Sequence, residues 1–218
     1  MIRRSATLVL AVCAGLSHAS RTIAQEQRPI ILAHRGGSFE FEENTMEAFR
    51  GSYEKGVRGY ETDIRMTRDG ALVILHDDTL DGTYNAQGSI EDKTAAELKA
   101  VTSKKGHKLL FLDEFLDYFA DKPGCYIELE MKPSNKPQYP DSRIDEYCQA
   151  LYKAAQARKP ASSTYVYTSF DERPLKAIHA IDARAPMSLI AGKPCSAEFI
   201  QKAKAVRADR ISCQLKGT

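Results

Sequence analysis

An excess of charge of one sign is the first thing missing from this sequence. Its 218 residues hold 31 lysines and arginines against 29 aspartates and glutamates, a formal net charge of +2. The basic residues are scattered, so there is no electrostatic footprint for a nucleic acid. Long apolar runs are missing too, apart from one short stretch near the start, which excludes a multi-span membrane protein. Cysteine is sparse. Five are present, and Cys125, Cys148, Cys195 and Cys213 follow neither a zinc-ligand spacing nor the dense pattern of a disulfide framework. Cys125 and Cys213 fall in apolar, strand-like runs and read as buried free thiols. Short-period repeats and low-complexity tracts are also absent. What is there, 43% hydrophobic and 28% charged residues, is the composition of one soluble globular domain long enough for a sizeable core.

Residues 1–25 stand apart. Arg3 and Arg4 precede an apolar run from Ala6 to Leu16, and Ser17-His18-Ala19 puts small residues around a polar one. Basic start, short apolar centre and small-residue site are the order of a secretory signal, with cleavage after Ala19 or Gln25; the alternative is a buried N-terminal helix. Eleven apolar-rich residues are too few for a span, which needs about 20. Cys13 resembles a lipoprotein position, but Val12 stands where a small residue is wanted. The expectation is export to the periplasm or outside the cell, without a lipid anchor. Residues 26–218 then carry 28 basic and 29 acidic residues.

From residue 29 onward short apolar runs alternate with longer amphipathic ones. Strands are expected at 29–34, 59–66, 126–132, 165–169, 187–191 and 211–215. Helices are expected at 44–55, 112–120, 144–158, 173–181 and 197–206. The run Ala71–His76 follows Arg68-Asp69-Gly70 too closely for a parallel return, so it pairs back as a hairpin. Residues 77–109 are polar and irregular, with one short helix near 94–101 whose Thr94 and Glu97 have capping-box spacing. Strands alternating with helices imply a parallel α/β sheet.

The polar residues at the strand ends carry the chemistry. Glu61 and Asp63 are two apart on a strand and so share a face, as do Glu128, Glu130 and Lys132 in the unbroken alternation of Tyr126–Lys132. Converging carboxylates without a run of arginines suit a hard divalent cation, Ca²⁺ or Mg²⁺. His34 and His76 supply groups that titrate near neutrality, fit for general acid and base work. Arg35 and Lys132 are suited to an anionic phosphate. Together they describe a metal-assisted phosphoryl-transfer site. Each piece alone has a duller explanation: Glu-x-Asp as a solvent-facing edge, His-Asp-Asp as a turn. Their joint order at successive strand ends is what tips the reading. His107 reads as a solvated loop residue and His179 as structural.

These residues resemble the glycerophosphodiester phosphodiesterase family. The likeness runs through His34-Arg35-Gly36, Glu42-Glu43-Asn44-Thr45, Glu61-x-Asp63, Thr67-x-Asp69-Gly70, His76-Asp77, Leu112-Asp113-Glu114, Glu130-x-Lys132-Pro133 and Ser169-Phe170. It implies a TIM-barrel-like (β/α) fold of the phospholipase C-like phosphodiesterase type, with residues 77–109 as a small insertion over the site. It also implies a divalent metal ion on Glu61, Asp63 and Glu130, an acid–base pair of His34 and His76, and Arg35 and Lys132 on the phosphate. Glu130 is preferred to Glu128 because only it keeps the Glu-x-Lys spacing. In the family reaction a glycerol hydroxyl attacks phosphorus and expels the alcohol, and water then opens the cyclic phosphate. The products are sn-glycerol 3-phosphate and a small alcohol. The expected partner is thus a small-molecule glycerophosphodiester.

Three departures bear on this. Glu42 replaces the proline that the family carries before Glu-Asn-Thr, and Asp81-Gly82-Thr83-Tyr84 stands where it often has Arg-Thr-Thr. The family's further strands, reading roughly Trp-Thr-Val-Asn and ending near Thr-Asp, have no counterpart before Thr218. The expectation is a barrel lacking its last two βα units. The competing readings are a related phospholipase D-like or sphingomyelinase D-like activity, and an incomplete chain that binds without turning over.

Overall fold

The computed structural model describes residues 29–133 and 137–215; the signal-like residues 1–25, with Cys13, lie outside them. The elements in chain order are β1 (Leu32–Ala33), α1 (Met46–Glu54), β2 (Gly59–Met66), β3 (Leu72–Ile74), α2 (Ala95–Leu98), α3 (Leu112–Phe119), β4 (Tyr126–Met131), α4 (Asp141–Arg158), β5 (Thr164–Ser169), α5 (Glu172–Ile181), β6 (Met187–Pro194), α6 (Ala197–Ala205) and β7 (Arg210–Gln214). Six strands lie in the order β1-β2-β4-β5-β6-β7, every neighbouring pair parallel. Each new strand beside the last, with a helical crossover between, is the winding of a (β/α) barrel wall. β3 pairs antiparallel with the outer end of β2, as the Arg68-Asp69-Gly70 turn requires; Gly70 takes φ +87° there.

The core lies between this wall and its helices. Tyr60, Ile64 and Met66 from one face of β2 and Ile127, Leu129 and Met131 from β4 meet Phe49 of α1, Phe115 and Phe119 of α3 and Leu151 of α4. Phe49 stands edge-on to Phe115 with centroids 4.7 Å apart, and Tyr60 is tilted on Phe119 at 5.0 Å. Aromatic pairs in such geometry add about 0.5–1.5 kcal/mol beyond their burial. The opposite face of the same strands carries the polar residues, so the alternation that builds the core also builds the site.

Residues 77–109 fold over this wall around a smaller cluster of their own. Leu80, Tyr84, Ile90, Leu98 and Leu109 pack with Val73 and Leu75. Thr94 and Glu97 complete the expected capping box at the start of α2. The insertion is tied back to the loop after β1: Ser103 Oγ donates to Glu42 Oε2 at 3.0 Å, and His107 lies between Glu42 (3.5 Å) and Glu47 (3.2 Å). His107 is therefore not the free loop residue that its Gly106-Lys108 neighbours suggest.

Three further details differ from the sequence reading. α4 begins three residues early, at Asp141, behind Pro140, whose fixed φ suits a helix entry. β2 spans Gly59–Met66 as expected, but the hairpin pairs with its outer end, so Glu61 and Asp63 sit mid-strand and not at a strand end, level with the end of β4. Cys125 is buried and free as expected, whereas Cys213 is only half-buried. No helix among the described residues is long and apolar enough to cross a membrane.

Candidate active site

The parallel register of β2 and β4 places Asp63 opposite Glu130 and Glu61 opposite Glu128. Glu61, Asp63 and Glu130 are all buried, and each offers a carboxylate oxygen within 4.8 Å of the other two. Glu128 stands one step lower and accepts a hydrogen bond from Tyr126 Oη at 3.1 Å, outside the triad. Burial, with the charge of Asp63, pushes the Glu61 carboxyl well above its ordinary range. Burial also raises Glu130, against the pull of Lys132.

The triad is under-satisfied. Glu61 Oε1 and Asp63 Oδ1 are buried and accept no hydrogen bond, although the Lys132 ammonium lies 3.2 Å from Asp63 Oδ1. Buried carboxylate oxygens left so are costly unless a cation meets them. Hard oxygen donors in this arrangement fit a divalent metal ion, and these three residues could hold it. Lys132 also donates to Glu130 Oε1 at 2.9 Å, so its charge partly answers theirs.

The segment between β1 and α1 is shaped by two residues in the left-handed region, Arg35 (φ 52°) and Asn44 (φ 57°). Non-glycine residues there store strain of about 1–3 kcal/mol, and such strain gathers at functional sites. Arg35 in this conformation turns its N–H onto Glu61 Oε2 at 3.0 Å. Asn44 N–H is returned to Arg35 O at 2.9 Å, and its side-chain amide donates to Asp63 Oδ2 at 2.9 Å. Thr62 Oγ donates to Asn44 Oδ1 at 3.1 Å, fixing which way the amide faces. Gly36 allows the turn: a Cβ there would sit 3.0 Å from Ala48 Cβ, at φ +81°.

His34 follows β1 directly, and its Nε2 is 3.6 Å from Glu61 Oε2. Burial and the neighbouring Arg35 lower its pKa, against the weaker opposing pull of Asp63 and Glu43. His76 comes two residues after β3; its Nδ1 is 3.0 Å from Asp77 Oδ1, and it lies near enough to His34 and Glu130 for a charge on it to lower both their pKa values. Arg35 grips Glu43 through Nη1 at 3.0 and 2.9 Å, with Nε buried, unbonded and 3.6 Å from Asp63 Oδ2. The structure thus gathers all seven expected residues, Arg35 and Lys132 being paired with carboxylates.

Three participants were not singled out from the sequence. Glu43 and Asn44 lie in the quoted Glu-Glu-Asn-Thr string, so their place in that motif was a signal. Thr168 sits opposite Glu130 in the β4–β5 register, with its buried Oγ unbonded, and nothing in the sequence marks it.

Residues 34–214 match the glycerophosphoryl diester phosphodiesterase family. The chain belongs to this family. Among its relatives is a glycerophosphodiester phosphodiesterase of Caldanaerobacter subterraneus, 35% identical over 112 residues, which are 48% of this chain and 46% of that protein. Another is human glycerophosphodiester phosphodiesterase 1, 35% identical over 91 residues, 42% of this chain and 28% of that protein. The matched part is thus under half the length of these curated relatives. Among solved structures, an Oleispira antarctica phosphodiesterase in complex with the product sn-glycerol-3-phosphate superposes with a TM-score of 0.75 at 22% identity, covering 85% of this chain and 74% of that one. A glycerophosphoryl diester phosphodiesterase structure from Silicibacter pomeroyi gives 0.74 at 21%, covering 84% and 73%. These likenesses establish the TIM-barrel-like fold of the glycerophosphoryl diester phosphodiesterase family.

Proposed function

We propose that this chain hydrolyses glycerophosphodiesters, small molecules that carry no lipid tail, to sn-glycerol 3-phosphate and an alcohol, with a divalent cation, Ca²⁺ or Mg²⁺, as cofactor. The buried triad Glu61, Asp63 and Glu130 with its unbonded oxygens carries the proposal, since it could hold a cation and His34 lies 3.6 Å from Glu61. These three residues hold the ion, which when bound supplies Lewis-acid stabilisation of charge on phosphate oxygens. His34, held neutral near neutral pH by its lowered pKa, takes a proton from the attacking hydroxyl. His76, whose Nδ1 faces the Asp77 carboxylate, delivers a proton to the departing alcohol. Lys132 and Arg35, whose charged groups border the triad, would bind the anionic phosphate. Glu43 and Asn44 hold Arg35 and Asp63 in place. Residues 1–25 support export as the setting for this chemistry.

The test is release of glycerol 3-phosphate from glycerophosphocholine, measured with Ca²⁺, with Mg²⁺ and with a chelator. Release with a metal and its loss with chelator are expected, and so is loss of turnover in Glu61→Gln at unchanged fold. Turnover that survives the chelator, or survives Glu61→Gln, would overturn the metal assignment. A chain that is folded, metal-loaded and inactive would overturn the reaction.

A further inference from the structure

The alternation that puts Glu61 and Asp63 on the inner face of β2 puts Arg65 there as well. Its side chain is 2% exposed, and its donors reach into two other segments. Nε donates to Leu75 O at 3.2 Å, and Nη2 donates to His76 O and to Asp78 Oδ1, both at 2.8 Å. Nη1 donates to Glu91 Oε1 at 3.1 Å. Glu91 belongs to the insertion, is itself buried, and accepts from Tyr139 Oη at 3.3 Å and from Ser89 Oγ.

A buried pair of this kind contributes little net stability over apolar side chains of similar volume. What it provides here is placement. β3 ends at Ile74, so Leu75 and His76 have no further strand ladder to hold them. Leu75 N–H donates to Asp63 O at 3.0 Å, while the carbonyls of Leu75 and His76 are both taken by Arg65. The backbone that carries the imidazole is thereby fastened to the strand that carries two of the three carboxylates. Beyond that carbonyl the imidazole has only two side-chain torsions left. Among the described residues its one side-chain partner is the half-exposed Asp77.

We infer that Arg65 is the positioning residue for His76, fixing where its imidazole stands by clamping the main chain of residues 75–76 and bracing that clamp on Glu91. This rests on the acid–base role given to His76 above.

Arg65→Met keeps length and volume and removes every donor; Arg65→Lys keeps the charge and part of the clamp. In the full chain, Arg65→Met should lower kcat by about tenfold or more with KM within about twofold, and Arg65→Lys should recover part of the loss. In a His76→Gln background the same change should cost under about threefold, because residues acting through one another are not additive. The imidazole ¹H–¹⁵N signals of His76, assigned by their loss in His76→Gln, should shift or broaden in Arg65→Met while those of His107 and His179 stay. Unchanged His76 signals, or equal losses in both backgrounds, would overturn the positioning role. A wild-type chain without turnover would overturn the proposed reaction instead, and the imidazole signals would still decide the clamp. Should Arg65→Met fail to fold, Arg65→Lys is the deciding variant: wild-type kcat and His76 signals in it would overturn the inference.

Discussion

His34 shows how one side chain's surroundings set its role. Burial and the Arg35 charge both disfavour its imidazolium, and the opposing charges of Asp63 and Glu43 do not outweigh them. A base must be neutral to act, so turnover should fall only as the pH drops through this lowered value. The acid limb of kcat/KM is therefore expected below the ordinary histidine value of about 6.5. His34→Ala should remove that limb and slow turnover by about 10²–10⁴-fold. An acid limb unmoved in the variant would assign the ionisation to another group. The chemistry-bearing types at this site were legible in the sequence because alternation puts paired carboxylates on one face of two strands, with histidines beside them in a joint order. Asn44 was harder to see as a participant. Its contact with Asp63 depends on a left-handed backbone at Asn44 itself and on Thr62 orienting its amide, which are facts of conformation and not of residue type.

At the scale of elements, legibility followed periodicity. Tyr126–Met131 alternates without a break, and the structure turns Glu128 and Glu130 to one face and Ile127, Leu129 and Met131 to the core. The start of α4 was placed late because its first apolar residue is Ile144, whereas the helix begins at the acidic Asp141 behind a proline. The insertion was the least readable. Leu80, Tyr84, Ile90, Leu98 and Leu109 follow no regular period, so a buried cluster looked like irregular polar chain. That cluster yields its own prediction. Leu98 is fully buried on the short α2, where Leu→Ala should cost about 2–5 kcal/mol. Because the cluster is separate from the main core, Leu98→Ala should raise hydrogen exchange across residues 80–109 while β4 and β5 keep their protection. Equal loss of protection in β4 would show that insertion and wall unfold as one unit.

For the molecule as a whole, the triad sets fold and function against each other. Burial raises the Glu61 and Glu130 carboxyls above the values of about 4.3 that they have in an unfolded chain. Between those two values the folded state binds more protons than the unfolded one, so stability is full below the unfolded pKa and falls as pH rises through the raised one. A divalent cation on the same oxygens displaces those protons and stabilises only the folded state. With chelator, the melting temperature should therefore decline as the pH rises from the unfolded value of about 4.3 through the raised values, and saturating Ca²⁺ or Mg²⁺ should abolish the decline. At a hundredfold excess over Kd the gain is about 2.7 kcal/mol. For a chain of this size that corresponds to roughly 5–10 °C, largest at the alkaline end. Glu61→Gln removes one buried charge, so it should flatten the decline in chelator, lose most of the response to metal and lose turnover together. A melting temperature that rises with pH in chelator, or a metal response that survives in Glu61→Gln, would place the cation elsewhere than on Glu61, Asp63 and Glu130.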